Sequence, residues 1–255
     1  MSAVAVDAAS QPAHAIEVGG LGKSFGDRDV FAGLDLAVGR GEFVAVFGAN
    51  GAGKSLLLRV LLGLERADTG SALLLGEDTA RLGGRARAAL LARVGVVFER
   101  DALFEDRSVA DNVALALRAA PRRPAAAQRR AVHESLLLVG LKHVDHLRPS
   151  ALAPGPRRRV ALARAIAHGP ALLLVDEPAA GLDPVAGAAL HELIAQLRTR
   201  LDLSVLVATR DPERALAFAD RAAFLHRGRI AAAGTPAALR MRADAALQQF
   251  LAARR

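Results

Sequence analysis

The chain has no cysteine, tryptophan or tyrosine, and nine phenylalanines are its whole aromatic content. Without thiols there are no disulfides, no thiol nucleophile and no cysteine-ligated zinc. With so few rings there is no platform on which successive bases can stack, so nucleic acid is not the expected partner. Long apolar runs are missing too. The best stretch, residues 56–64, is cut by Arg59 and falls well short of the about 18 uncharged residues of a spanning helix. Residues 1–13 lack the basic start and continuous apolar stretch of a signal peptide, and read as a loose tail before one domain over residues 14–255 of a cytosolic protein.

What is present is a chain of 255 residues, 52% hydrophobic and 24% charged, too apolar for disorder and long enough for a substantial core. Its net charge is +8, yet Lys23, Lys54 and Lys142 are the only lysines. Arginine carries the remainder, clustered at 122–123, 129–130, 157–159 and 254–255. Such a surplus suits a nucleic acid, an anionic lipid surface or a polyphosphate, and only a site can choose among them.

Ile16-Glu17-Val18 alternates as a short strand, and residues 19–29 read as turns. Continuous apolar runs at 43–47 (FVAVF), 94–98 (VGVVF), 171–175 (ALLLV) and 203–208 (LSVLVA) predict buried strands, with another at 71–75. Between about 99 and 167 the texture becomes helical, broken by prolines at 121–124 and 149–156, and residues 236–255 close the chain as a helix. Strands alternating with helices indicate an α/β domain, here with a helical block, about 99–167, inserted in it.

Two motifs carry chemistry. Gly48-Ala49-Asn50-Gly51-Ala52-Gly53-Lys54-Ser55 fits G-x-x-x-x-G-K-[ST] between a buried strand and a helix that opens at Leu56. Glycines let successive backbone N–H groups curl round a phosphate, and the helix N-terminus adds its positive end. Lys54 then reaches the β and γ phosphates and the Ser55 hydroxyl ligates Mg²⁺. Further on, Leu172-Leu173-Leu174-Val175 leads to Asp176, Glu177 and Pro178. Asp176 emerges at the strand's C-terminal end, where open α/β sheets bind ligands, and suits the Mg²⁺; Glu177 is placed to polarise a water in line with the γ-phosphate.

With both motifs in this order, the chain resembles the ATP-binding subunit of ABC transporters from about residue 16 to the C-terminus. The resemblance implies a P-loop ABC-type nucleotide-binding domain with an N-terminal antiparallel β part and an inserted helical subdomain. It also implies ATP and Mg²⁺ as ligands and a second ATPase subunit facing the first across two nucleotides. A membrane permease partner would place the chain on the cytoplasmic face of the inner membrane. Phe25 stands where the family sets an aromatic against adenine, Asp183 where it has the D-loop aspartate, and residues 152–169 align with its signature helix. A narrower likeness, in residues 102–113 and in Leu247-Gln248-Gln249-Phe250-Leu251, is to ATPases of Mla/Mce-type phospholipid transport, and implies a lipid cargo with lipid-binding accessory subunits.

Three positions leave the family pattern. Glu99 replaces the Q-loop glutamine, Arg210 replaces the switch histidine, and the signature Leu-Ser-Gly-Gly becomes Leu152-Ala153-Pro154-Gly155. Ala153 has no hydroxyl and Pro154 no N–H, so donors to the facing subunit's γ-phosphate are lost. At about 1.5–3 kcal/mol for each hydrogen bond to a charged group, one loss slows turnover by about 10-fold to 100-fold. Residues 157–159 offer cations as replacements, or simply solvate the helix. Glu99 keeps a metal-binding oxygen, and Arg210 provides a cation that does not titrate. The two are expected to form an ion pair across the empty site. Such motifs leave open a rival reading, a subunit that binds ATP and scarcely hydrolyses it.

Overall fold

A computed structural model describes residues 13–118 and 124–252. The expected loose tail up to residue 12, the arginines at 122–123 and 254–255, and most of the proline turn at 121–124 lie outside the described residues.

Among the described residues ten strands form two sheets. The first has the order β2-β1-β4-β5, all antiparallel: β1 (His14–Phe25), β2 (Arg28–Gly39), β4 (Thr69–Leu74) and β5 (Glu77–Asp78). The second has the order β10-β9-β3-β8-β7-β6, from β3 (Phe43–Phe47), β6 (Val94–Val97), β7 (Leu172–Asp176), β8 (Ser204–Thr209), β9 (Arg221–His226) and β10 (Arg229–Gly234). It is parallel except for the β9–β10 hairpin. The helices are α1 (Lys54–Leu61), α2 (Gly84–Leu91), α3 (Val109–Ala114), α4 (Ala125–Leu138), α5 (Pro154–Ile166), α6 (Pro184–Leu201), α7 (Pro212–Phe218), α8 (Pro236–Met241) and α9 (Ala245–Ala252).

Side chains alternate across the central strands and so divide the core in two. Phe43, Ala45 and Phe47 of β3 join Leu173, Val175, Val205 and Val207 on the face covered by α3–α7. Val44 and Val46 join Leu172, Leu174 and Leu206 on the face covered by α1 and the antiparallel sheet. Both faces are buried, which is why these strands read as unbroken apolar runs. The C-terminus is pinned to the first face, where the Phe250 ring lies 6.1 Å from Phe47 and 5.3 Å from Phe224.

Several expectations need correcting. The predicted turn at 19–29 is strand for most of its length. Its glycines sit in register shifts, between Val18 and Leu21 and again to Gly22, so β1 bulges and runs on to Phe25. The proline break at 149–156 ends earlier, because Pro154 occupies the first turn of α5, where no N–H is needed. The single C-terminal helix is two, separated at 242–244, with Asp244 accepting the Leu247 N–H at 2.8 Å.

Candidate functional site

The site forms where β3, β7 and β8 end together. The loop at 48–53 leaves β3 and turns into α1, and its first and last positions, Gly48 and Gly53, have no room for a side chain. A Cβ on Gly48 would lie 2.4 Å from the Leu225 carbonyl oxygen, and one on Gly53, at φ 106°, 2.6 Å from the Phe31 ring. The Arg28 guanidinium donates to the Gly51 carbonyl at 3.3 Å. Arg28 pairs with Phe25 at the tip of the β1–β2 hairpin, so that tip is tied to the loop. Phe25 itself is half exposed, with the Lys23 ammonium 5.0 Å from its ring centre. Asn50 and Gly51 are exposed at the crest, while Ala49 and Ala52 close a short turn through the Ala52 N–H to the Ala49 carbonyl at 3.2 Å. Leu56 packs against the second core cluster.

Lys54 is buried. Its ammonium donates to the carbonyls of Gly48 at 3.0 Å and Ala49 at 3.1 Å and lies 3.6 Å from Glu177 Oε1. Burial pushes its pKa below the ordinary lysine value, against the opposing pull of Glu177. Glu177 has φ 43°, a left-handed conformation uncommon for its type. Its N–H donates to the Ala208 carbonyl at 2.8 Å, and its Oε2 accepts the Arg210 N–H at 3.0 Å. The left-handed turn just after β7, tied to the end of β8 through Ala208 and Arg210, therefore holds a carboxylate over the loop. Asp176 is also buried. Its carboxyl is pushed up to about 6, first by desolvation, with a hydrogen bond from Ser55 opposing and the charges of Glu177 and Glu99 adding. Its Oδ1 has no hydrogen-bond partner. Ser55 and Asp176 line a cleft of about 400 Å³ with Leu58, Arg59, Leu64 and Phe98. A hydroxyl beside an unpartnered carboxylate oxygen is a hard-oxygen donor set that fits Mg²⁺.

The structure thus brings together Lys54, Ser55, Asp176, Glu177 and the loop, with Glu99 and Arg210 near enough to act on them by charge. The expected Glu99–Arg210 ion pair is absent among the described residues. Arg210 engages Glu177 through its main chain instead, and the nearest counter-ion of Glu177 is Lys54. Ala153 and Pro154 open α5 with no side-chain cap, and Gly155 has open space around its Cα. Asp183 caps α6, accepting from the N–H groups of Val185 and Ala186 at 2.9 Å each.

The arginines at 157–159 are engaged within the chain. Arg157 pairs with Asp101 and Glu105, Arg158 reaches Asp101, Phe98 and Ala180, and Arg159 donates to the Val139 carbonyl. Sequence reading missed these contacts, and it missed Arg28. Each binds a main-chain carbonyl or a carboxylate distant in sequence, which leaves no local signal.

An amide-lined loop opening a helix, with a lysine, a serine and two strand-end carboxylates around it, defines a P-loop nucleotide-binding α/β protein. The sequence matches the ABC transporter family over residues 31–180, and the chain belongs to that family. It is 43% identical over 223 residues to the sulfate/thiosulfate import ATP-binding protein CysA of Methylococcus capsulatus, covering 86% of this chain and 63% of the relative. To the protein of the same name from Burkholderia mallei it is 42% identical, covering 88% and 63%. The chain therefore spans under two thirds of the length of these relatives. Among solved structures, MJ0796, described as the dimeric structure of a bacterial ABC transporter cassette, matches with a TM-score of 0.79 at 26% identity, covering 87% of this chain and 98% of that one. A second structure of it is described as a post-hydrolysis state bound to ADP and Pi, with a TM-score of 0.78 at 25% identity, again covering 87% and 98%.

The relatives' names speak of sulfate and thiosulfate import, so the phospholipid subtype and its accessory subunits lose their support. The residues behind that likeness have structural work to do. Asn112 is fully buried, accepting the Phe104 N–H at 2.7 Å and donating to the carbonyls of Phe104 and Ser108. Ser108 caps α3, and Leu247 and Leu251 are core residues.

Proposed function

We propose that this chain is the ATP-hydrolysing subunit of an ABC transporter that imports a sulfate-like oxyanion. It would work as one of a pair on the cytoplasmic face of a membrane permease. The observation that carries the reading is the convergence of Lys54 and Glu177 on the loop with an unpartnered Asp176 oxygen beside Ser55. The oxyanion cargo rests on the relatives' names. No helix among the described residues is long and apolar enough to cross a membrane.

The chain's own residues divide the work as follows. Loop N–H groups and the Lys54 ammonium hold the β and γ phosphates. Lys54 exchanges the Gly48 and Ala49 carbonyls for phosphate oxygens, which releases Glu177 Oε1 to accept a proton from the attacking water. Arg210 fixes the other carboxylate oxygen through its N–H, while its guanidinium adds positive charge near the loop. Mg²⁺ held by Ser55, an ionised Asp176 and the Glu99 side would supply further charge against the phosphates. Phe25 would rest against the base. Ala153, Pro154, Gly155 and Asp183 would face the second subunit's nucleotide.

The rival, a subunit that binds ATP and barely turns it over, is favoured by one observation: the α5 N-terminus begins with uncapped Ala153 and a proline. Single-turnover phosphate release from the chain with its permease separates the two. The transporter reading expects release that Glu177→Gln slows by about 100-fold or more while ATP still binds. Tight binding with no release selects the rival. Turnover that persists without stimulation by sulfate or thiosulfate would remove the cargo assignment and leave the motor.

A further inference from the structure

The Arg158 side chain is only 9% exposed, and it meets two separate segments of chain, at 98–101 and at 180. Its Nη1 donates to the Phe98 carbonyl at 3.2 Å and lies 3.0 Å from Asp101 Oδ1, while its Nη2 donates to the Ala180 carbonyl at 3.0 Å. Phe98 adjoins Glu99, whose charge acts on Asp176. Ala180 in turn donates its N–H to the Glu177 carbonyl at 3.0 Å, one hydrogen bond from the strained residue over the loop. The same strap of chain is held by two more arginines of α5. Arg157 lies 3.4 Å from Asp101 and 2.5 Å from Glu105. Arg164, one heptad further along, donates to the carbonyls of Asp101 at 2.8 Å and Ala102 at 2.7 Å. Ala102 has φ 48°, so the strap turns in a conformation that this grip holds.

A buried guanidinium with several fixed acceptors is a rigid junction, because losing any partner leaves polar groups unpaired inside the protein. We infer that Arg158 is a positioning residue which couples Glu99 and Glu177 to the N-terminus of α5, so that nucleotide at the Ser55–Asp176 cleft resets Ala153, Pro154 and Gly155. The inference rests on the ATP-binding reading above. Arg158 itself has its partners at Phe98, Asp101 and Ala180, outside the loop at 48–55. Arg157 and Arg164 fasten only the strap. Arg158 alone among the three also reaches the Glu177 side.

Hydrogen exchange on the full chain, with and without Mg·ATP, tests this directly. In the parent, Mg·ATP should slow exchange at 48–57 and also at 178–183 and 155–162. Arg158→Met should keep the protection at 48–57, with ATP affinity within about twofold, and lose at least about fivefold of it at the two distant segments. Phosphate release in the assembled transporter should fall about tenfold at unchanged KM. Arg158→Lys, which keeps the charge and cannot bridge both carbonyls, should fall between. Asp101→Asn, a milder change that preserves the two carbonyl contacts, should show a smaller loss of the same pattern. Equal protection in parent and Arg158→Met, or a parallel loss at 48–57, overturns the coupling. A parent that shows protection at 48–57 and none beyond overturns it as well. If Mg·ATP protects nothing in the parent, the ATP-binding reading itself fails, and that result is distinct from the others.

Discussion

Asp176 is the residue whose surroundings speak most plainly. Its carboxyl titrates at about 6 in the folded chain, above its ordinary value of 3.8, because burial opposes the charge. A raised folded-state pKa means that the protonated form is the stable one. The contribution to stability is complete below 3.8 and is lost as the pH rises through about 6. Thermal melts should therefore find Asp176→Asn more stable than the parent at pH 8, with the difference vanishing toward pH 4. Metal binding requires the ionised form, so Mg²⁺-dependent ATP affinity should weaken below pH 6. A pH-independent affinity would contradict this. Arg210 bears on the same chemistry from the other side. Replacing it with histidine puts an imidazole, of ordinary pKa about 6.5, in place of the guanidinium. Hydrolysis by Arg210→His should decline between pH 6.5 and 8.5, where the parent stays level.

Between elements, the close approach of β6 and α5 sets the junction around Arg158. Gly95 permits it, since a Cβ there would fall 2.3 Å from the Ala165 carbonyl oxygen. Gly95→Ala should cost about 1–3 kcal/mol, read as a lower midpoint of thermal unfolding. At this scale the sequence was legible where one rule dominated. The strands β3, β6, β7 and β8 are buried on both faces and read as apolar runs, and the loop at 48–55 and Asp176-Glu177 follow from them. It was illegible where tertiary pairing overrode local signals. The glycines at 19, 20 and 22 look like turn residues and are absorbed as bulges in β1. The alanine-rich β9 and β10 have little strand character of their own and are set by pairing with β3 and with each other. Pro154 and Pro156 look like a break and instead start α5. In the stretch 102–113 the asparagine and serine that carry the lipid-transporter likeness serve the local fold.

Across the whole molecule, the +8 charge turns out to be a poor guide to partners. Many arginines are tied up within the chain: Arg87 on the Leu62 and Gly63 carbonyls, Arg198 on Gly41 and Asp220, Arg221 on Glu42, and Arg158 and Arg164 on the strap. The face proposed for the second subunit is the N-terminus of α5, which has no side-chain cap at Ala153 and no N–H at Pro154. A Glu177→Gln chain with Mg·ATP should pair weakly in solution by light scattering. Adding Ala153→Ser and Pro154→Gly should tighten that pairing by about 10-fold to 100-fold, the worth of a hydrogen bond to a charged phosphate. Unchanged pairing would mean that the α5 N-terminus does not face the second nucleotide.

Every step above needs a triphosphate held by the loop and Lys54, and a titration of Mg·ATP into the full chain and into Lys54→Ala measures it. Removing an ammonium from two or more charged contacts should weaken binding by at least about 100-fold without unfolding the protein. Equal affinities for the two chains would contradict the account at its root.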